Sequence, residues 1–533
     1  MLQRTIQQEE AKLRLARAHI ARLQMQCQIM ETNLTRLRYS VSRISRLPVE
    51  VLRMIFSFCL LPTHSLAQTF ETEVSERRRL REQAKYAPIV LTAVCRTWRA
   101  VCRDTTELWS FHACNFAISP THSHLELLGL AHYTRTYHTG PFELFIWFHP
   151  NGQFVPDGLV QLLVRLTPRF KGIVMHHASP MLMRVFNQLS LPQLETLTLN
   201  NSTSRHVGQD THPHWQSFGW LRNSHNLVSF SLTWPTIVLE NLQMPWAHLT
   251  SLELRDHEMD GPGDLRWHDC LELLDRCPQL TRFSFHSHGG PVTQKDKIAC
   301  PVLADLAFEG VHDCTKVLDL LVLPALTSIR LGANVVDMRI LPWPGASLLR
   351  LIRRSSCTLT TLALDHVEAP PGAELIDLLR ALPKLRVLEL IDQDSPIELI
   401  SHDLIMILAQ SDRGEAALLP ELEELELCNV RIISSTELAD IVEARCDSDD
   451  DGADDEYESR VGGSLRRVYF ECIVPSDWDS AGDNGKARLW TCQKQGLDLT
   501  VDWLCRDEEG KLVVLDAIAV SYTHLTLPTI LRV

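Results

Sequence analysis

The stretch Leu382-Pro383-Lys384-Leu385-Arg386-Val387-Leu388-Glu389-Leu390 decides the fold. Leu388 and Leu390 are two apart, so in a strand both point to one side. Leu385 falls in the turn before it, and Pro383 biases the preceding residue away from helix. The same phrase recurs at Leu194-Leu197-Leu199, Leu227-Phe230-Leu232, Leu249-Leu252-Leu254, Leu280-Phe283-Phe285, Leu303-Leu306-Phe308, Leu326-Ile329-Leu331 and Leu359-Leu362-Leu364. Leu422-Leu425-Leu427 and Leu465-Val468-Phe470 continue it beyond Leu390. Many copies follow a proline, as at Pro192, Pro278, Pro301, Pro324 and Pro420. Amphipathic helical segments lie between them, such as Leu271-Leu273-Leu274, Val317-Leu318-Leu320-Leu321 and Leu375-Ile376-Leu378-Leu379.

One strand and one helix cannot bury their apolar faces alone, but stacked copies share a continuous core. The expected fold class is therefore α/β, with parallel strands and helices in a solenoid over residues 113–520. The intervening helices disfavour a β-sandwich. Phe142-Leu144-Ile146-Phe148 and Phe170-Ile173-Met175 read as earlier strands of the same sheet, and Gln495 to Val501 as the last strand, followed by a short hairpin through Gly510. The array resembles the leucine-rich repeat in degenerate form. Its intervals run irregularly from 22 to 43 residues, and no Asn or Cys ladder position is fixed.

In such an array the residues between the inward apolars line the concave face. They include Thr196, Thr198, Glu253, Arg255, Arg282, Ser284, Glu309, Arg330, Asp365, Glu389, Glu424, Glu426, Arg467 and Tyr469. Arg255, Arg282, Glu389, Glu424, Glu426 and Tyr469 are the candidate substrate-binding residues. The face leans acidic toward the C-terminal copies, which suits a protein ligand of basic character; a merely solvated sheet is the alternative.

Upstream, Leu47-Pro48-Val49-Glu50-Val51-Leu52-Arg53-Met54-Ile55-Phe56 opens with a proline where a helix begins. Leu52, Ile55, Phe56 and Cys59 recur at helical steps, while Val51, Phe58 and Leu60 add bulk on a second side. A charged insertion separates it from Val94-Cys95-Arg96-Thr97-Trp98 and Leu108-Trp109. These residues, in this order, resemble the F-box of long fungal F-box proteins. The insertion, Thr63 to Tyr86, is longer than the connection usual in that family. The resemblance implies a three-helix F-box over residues 45–112 that docks on a Skp-type adaptor. By that resemblance Leu47, Pro48, Leu52, Ile55, Phe56, Val94 and Trp98 would form that contact or support it directly.

Residues 1–44 read as a coiled coil. One seam position holds Ile6, Leu13, Ile20, Cys27, Leu34 and Val41; the other holds Leu2, Glu9, Ala16, Leu23, Met30, Leu37 and Ile44. The seam predicts self-association without specifying orientation; a single helix laid on the repeats is the alternative. Lys12 would face Arg17 in a parallel dimer.

The net charge of −14 argues against a nucleic-acid surface. No apolar run approaches the ~20 residues of a membrane span. Fifteen cysteines without a Cys-x-x-Cys pair make a metal unexpected and fit reduced thiols in the cytoplasm or nucleus. Residues 446–458 are an acidic insertion read as disordered; Asp447, Asp449, Asp451, Gly452 and Glu458 have the spacing of a calcium loop in a context that disfavours one. Residues 521–533 fit no repeat, look like translated adapter sequence, and are set apart as a non-native tail. No catalytic motif is found, so no catalytic residue, cofactor or metal is expected. His286-Ser287-His288 and His176-His177 read as loop-surface and strand-end histidines.

The resemblance implies a substrate-recognition subunit of a Skp–cullin–F-box ubiquitin ligase. The chain would do no chemistry itself: the F-box would bind the adaptor and cullin arm, and the repeats a protein substrate. A non-degradative interaction scaffold is the alternative.

Overall fold

The computed structural model describes residues 2–41, 43–58, 88–116, 120–136, 140–148, 158–177, 182–183, 186–187, 189–201, 218–234, 237, 239–256, 265–287, 292, 296–310 and 313–333. It further describes 340–370, 373–392, 398–409, 418–431, 435–446, 465–474, 484–494, 496–506 and 512–519. The charged insertion, the acidic insertion past Cys446 and the 521–533 tail lie outside these residues.

The chain forms two units, Met1–Ala113 with His132–Gly140, and Cys114–Ala131 with Pro141–Val533. The divisions fall inside a strand, Phe111–Phe116, and a helix, Pro120–Thr136.

The first unit begins with one 40-residue helix, α1, Leu2–Val41. No Gly or Pro interrupts it, and Leu, Arg, Gln and Ala dominate, all strong helix formers. After a short 3₁₀ turn at Arg43–Arg46 comes α2, Val49–Phe58. Its first turn closes where the Leu52 amide donates to the Pro48 carbonyl at 3.1 Å. A helix over 88–94 leads into the helix Arg96–Asp104, whose N-cap is Cys95; its sulfur accepts from the Trp98 amide at 3.3 Å. A 3₁₀ turn, Thr106–Trp109, follows. The core is small: Leu52, Phe56, Leu91, Trp98, Val101, Cys102, Leu108, Trp109 and Tyr133. Phe56 and Trp98 pack with centroids 4.8 Å apart, and the Trp109 indole donates to the Cys102 carbonyl at 2.7 Å. The Tyr133 hydroxyl donates to the Trp109 carbonyl.

The second unit is α/β. One open sheet holds β1 (Phe111–Phe116), β2 (Phe142–Phe148), β3 (Phe170–His176), β4 (Thr196–Asn200), β5 (Ser229–Trp234), β6 (Ser251–Asp256) and β7 (Arg282–Ser287). It continues past a two-residue strand, β8 (Ile298–Ala299), with β9 (Asp305–Gly310). β8 pairs separately with β10 (Leu321–Val322). The sheet ends with β11 (Ser328–Gly332), β12 (Thr361–Asp365), β13 (Val387–Ile391), β14 (Glu424–Arg431), β15 (Arg467–Ile473), β16 (Asp498–Arg506) and β17 (Leu512–Ala519). Its strands follow chain order, and the pairings from β2 to β16 are parallel. β16 and β17 run antiparallel, as a hairpin between them requires; the expected turn through Gly510 lies outside the described residues.

The register holds every phrase in line. Leu252, Phe283, Leu306, Ile329, Leu362, Leu388 and Leu425 form one row; Leu254, Phe285, Phe308, Leu331, Leu364, Leu390 and Leu427 form the next. Both rows are buried and join the helices, including Leu271, Leu274, Val317, Leu318, Leu375 and Leu379, in one continuous core. The irregular intervals have a simple cause. Between β5 and β6 the crossover is two 3₁₀ turns, Leu239–Asn241 and Trp246–His248; between β6 and β7 it holds a full helix, Trp267–Arg276. Crossover length varies while the strand phrase does not.

A side-chain ladder, which the sequence reading did not find, ties the turns together. The hydroxyls of Thr250, Thr281, Thr327 and Thr360 donate to the carbonyls of Val228, Thr250, Ala304 and Thr327 at 3.1, 2.9, 3.2 and 3.1 Å. Each of these threonines follows the first leucine of a phrase. On the helical side Arg354 and Arg445 bridge repeats through backbone carbonyls. Arg354 donates to the carbonyls of Leu318 and Leu321, and Arg445 to those of Leu408, Leu418 and Leu419 at 3.2, 2.7 and 3.0 Å. Each sits one residue before the end of its helix and satisfies carbonyls left by the preceding repeat.

Candidate functional site

Helix α2 carries two apolar stripes, and only one is buried. Leu52 and Phe56, four apart, enter the core of the first unit at 3% and 0% exposure. Val51, Met54, Ile55 and Phe58 recur at i, i+3, i+4 and i+7 and remain exposed, Phe58 at 81%. The 88–94 helix repeats the arrangement: Pro88 and Leu91 are buried, while Ile89, Val90 and Val94 are exposed.

The predicted adaptor residues therefore divide. Leu52, Phe56 and Trp98 are core residues that hold the helices in place, and Leu47 packs half-buried against them. Pro48, Ile55 and Val94 are exposed. Ile55 leaves the stripe of Leu52 and Phe56 to which its spacing assigned it; the three-residue step from Leu52 turns it toward Val51 and Phe58. Met54, Ile89 and Val90 were missed, although the four-residue spacing of Val90 and Val94 was there to be read.

In the second unit the residues between the buried rows share the opposite, polar face, as the two-residue period requires. One row runs Ser231, Glu253, Ser284, Ala307, Arg330, Ala363, Glu389, Glu426, Tyr469, Thr500. Toward β6 its charges are matched: Arg255 pairs with Glu253 at 2.7 Å and Glu309 at 3.2 Å. Arg282 is exposed on the same face.

Toward β13–β16 carboxylates accumulate. Glu389 lies in register with Glu426, and Glu471 with Asp502, like charges side by side that cost stability in a sheet. Arg330 pairs with Glu389 at 2.7 Å, and Arg467 with Glu424 at 3.0 Å and Asp498 at 3.4 Å. The Tyr469 hydroxyl donates to Asp502 at 3.1 Å. Burial pushes the Glu389 and Glu471 carboxyls up, and the neighbouring Glu426 and Asp502 add to the shifts. Burial, with Asp502 beside it, raises the Tyr469 phenol as well. Carboxylates therefore outnumber the Arg330 and Arg467 guanidinium groups that pair with them here.

Other titratable groups are occupied locally. His286 is a strand residue of β7 at 5% exposure, not a surface loop histidine, while His288 lies outside the described residues. His176, at the end of β3, is buried and stacks on Phe145. His268, Asp269 and Glu272 are the one trio of potential metal ligands among the described residues. Asp269 already accepts the Arg266 amide at 2.7 Å and Glu272 pairs with Arg276. Burial raises the Cys277, Cys300 and Cys314 thiols to about 12, 11 and 12, so these are unreactive packing groups. No helix among the described residues is long and apolar enough to cross a membrane.

No known family model matches this chain, and no curated protein sequence matches it.

Proposed function

We propose that this protein is a non-catalytic receptor subunit of a Skp–cullin–F-box ubiquitin ligase. The observation that carries the reading is the exposed stripe Val51, Met54, Ile55 and Phe58 on a helix whose other stripe already fills its core. Burying one such side chain is worth roughly 1.5–3 kcal/mol, so covering the α2 stripe would offset part of the cost of association. Ile89, Val90 and Val94 are further exposed apolar side chains of this unit. The order Leu47-Pro48 to Leu108-Trp109 resembles the F-box, and that resemblance implies a Skp-type adaptor as the partner and cullin through it. The work would be done in the cytoplasm or nucleus.

The sheet unit is, in this reading, a degenerate leucine-rich repeat. Its support is the constant register of the apolar rows across crossovers of unequal length. The acidic patch around Glu389, Glu426 and Glu471 would hold a basic segment of a protein substrate, and the ligase would then act on that substrate by proximity.

A pulldown tests the docking half. Ile55→Asp with Phe58→Asp alters exposed positions and spares the core, unlike any change at buried Leu52. Wild type should capture adaptor and cullin, and the double variant neither. A variant that keeps cullin overturns the ligase reading. Adaptor captured without cullin by wild type points instead to a non-degradative scaffold.

A further inference from the structure

Every described side chain of α1 between Lys12 and Leu34 is exposed, including Leu13 at 51%, Ile20 at 55%, Leu23 at 46%, Met30 at 62% and Leu34 at 48%. These, with Ala16 and Cys27, are the seam positions of a strict seven-residue repeat on a helix about 60 Å long. An apolar stripe of that length and period fits another helix of the same period. A second copy of this chain supplies one, and the flanking charges decide how it lies.

In a parallel pair the flank residue Lys12 faces Arg17 of the other copy, twice by symmetry, and like charges meet. In an antiparallel pair each flank faces its own kind. Setting Ile20 opposite Met30 then places Leu23 opposite Cys27 and the small Ala16 opposite the large Leu34. The same alignment brings Arg17 against Glu31 of the second copy, twice, with Gln24 meeting Gln24 near the two-fold axis. A shift of one heptad either way sets Arg17 or Glu31 opposite Gln24 and loses both ion pairs. We propose that α1 forms an antiparallel coiled-coil homodimer in this register, with reciprocal Arg17–Glu31 pairs. The proposal stands independently of the ligase reading, since it uses no residue of the adaptor face.

The test is sedimentation of the full chain at micromolar concentration, with helix content followed by circular dichroism. Wild type is expected at twice the 60.6 kDa chain mass. Arg17→Glu and Glu31→Arg should each weaken the dimer about tenfold, since two attractive pairs become repulsive. Combining Arg17→Glu with Glu31→Arg should restore it. In a parallel dimer Arg17→Glu would instead tighten association by giving Lys12 a counter-charge. A monomeric wild type, or a dimer tightened by Arg17→Glu, overturns the proposal. Oxidative crosslinking gives a second measurement: Leu23→Cys should link position 23 to Cys27 of the other copy, whereas a Cys27–Cys27 link in wild type would show the parallel arrangement.

Discussion

The two units use apolar residues in opposite ways. The core of the first is the small cluster around Phe56 and Trp98, and its helices spend as many large apolar side chains outside as in. The second unit runs one core from Cys114 to Trp503 and turns its charges outward. A pair of short helices has too little interior to bury two stripes, so one remains for a partner. A stack of strands buries every alternate residue, so what it can offer is the polar remainder. The proposed hydrophobic docking by one unit and electrostatic recognition by the other would draw on that difference.

The contrast breaks most visibly in the long core. Phe308 packs between Trp267 and Phe283 with centroids 5.3 and 6.5 Å away. Phe308→Ala should cost about 3–5 kcal/mol and lower the calorimetric melting of the second unit. The next effect lies at a repeat junction. Arg445→Met keeps the aliphatic stem but strands the Leu408, Leu418 and Leu419 carbonyls, and denaturant unfolding should register a loss of about 2 kcal/mol.

A smaller effect sharpens the electrostatic side. A hydrogen bond from its ring to Asp365, reinforced by the charge of Asp392, holds His366 above its ordinary range. A raised histidine stabilises the fold fully below its unfolded value near 6.5, and that contribution is lost as pH rises through the higher folded value. His366 has a φ of 49°, a backbone that asparagine tolerates. His366→Asn should therefore be less stable than wild type at pH 6, with the gap closing toward pH 8, as followed by urea midpoints. The smallest expected stability change is at the docking stripe. Ile55→Asp with Phe58→Asp should move the melting free energy by no more than about 0.5 kcal/mol, while adaptor capture is lost. A large drop in stability there would mean that the stripe belongs to the fold.

The strand rows were legible because a two-residue period allows only one assignment of faces. Every candidate substrate residue, from Arg255 to Tyr469, duly lies on the polar face. The α2 stripes were legible only in part, since a helix read alone has no marked inside. Ile55 is three residues from Leu52 and one from Phe56, and only the position of Trp98 settles which stripe goes in. The strand Phe111–Phe116 carries no repeat phrase, and the arginine bridges join residues up to 37 positions apart, so neither had a local signal.

The order of apolar residues alone determined the parallel α/β sheet, its inward rows and the long seam of α1, because backbone geometry converts spacing directly into facing. Which of two equally apolar helix stripes fills a core, which carboxylates end side by side, and which carbonyls an arginine must satisfy were decided by the tertiary structure. Those outcomes depend on distances between segments remote in the chain, and spacing along one segment carries no record of them.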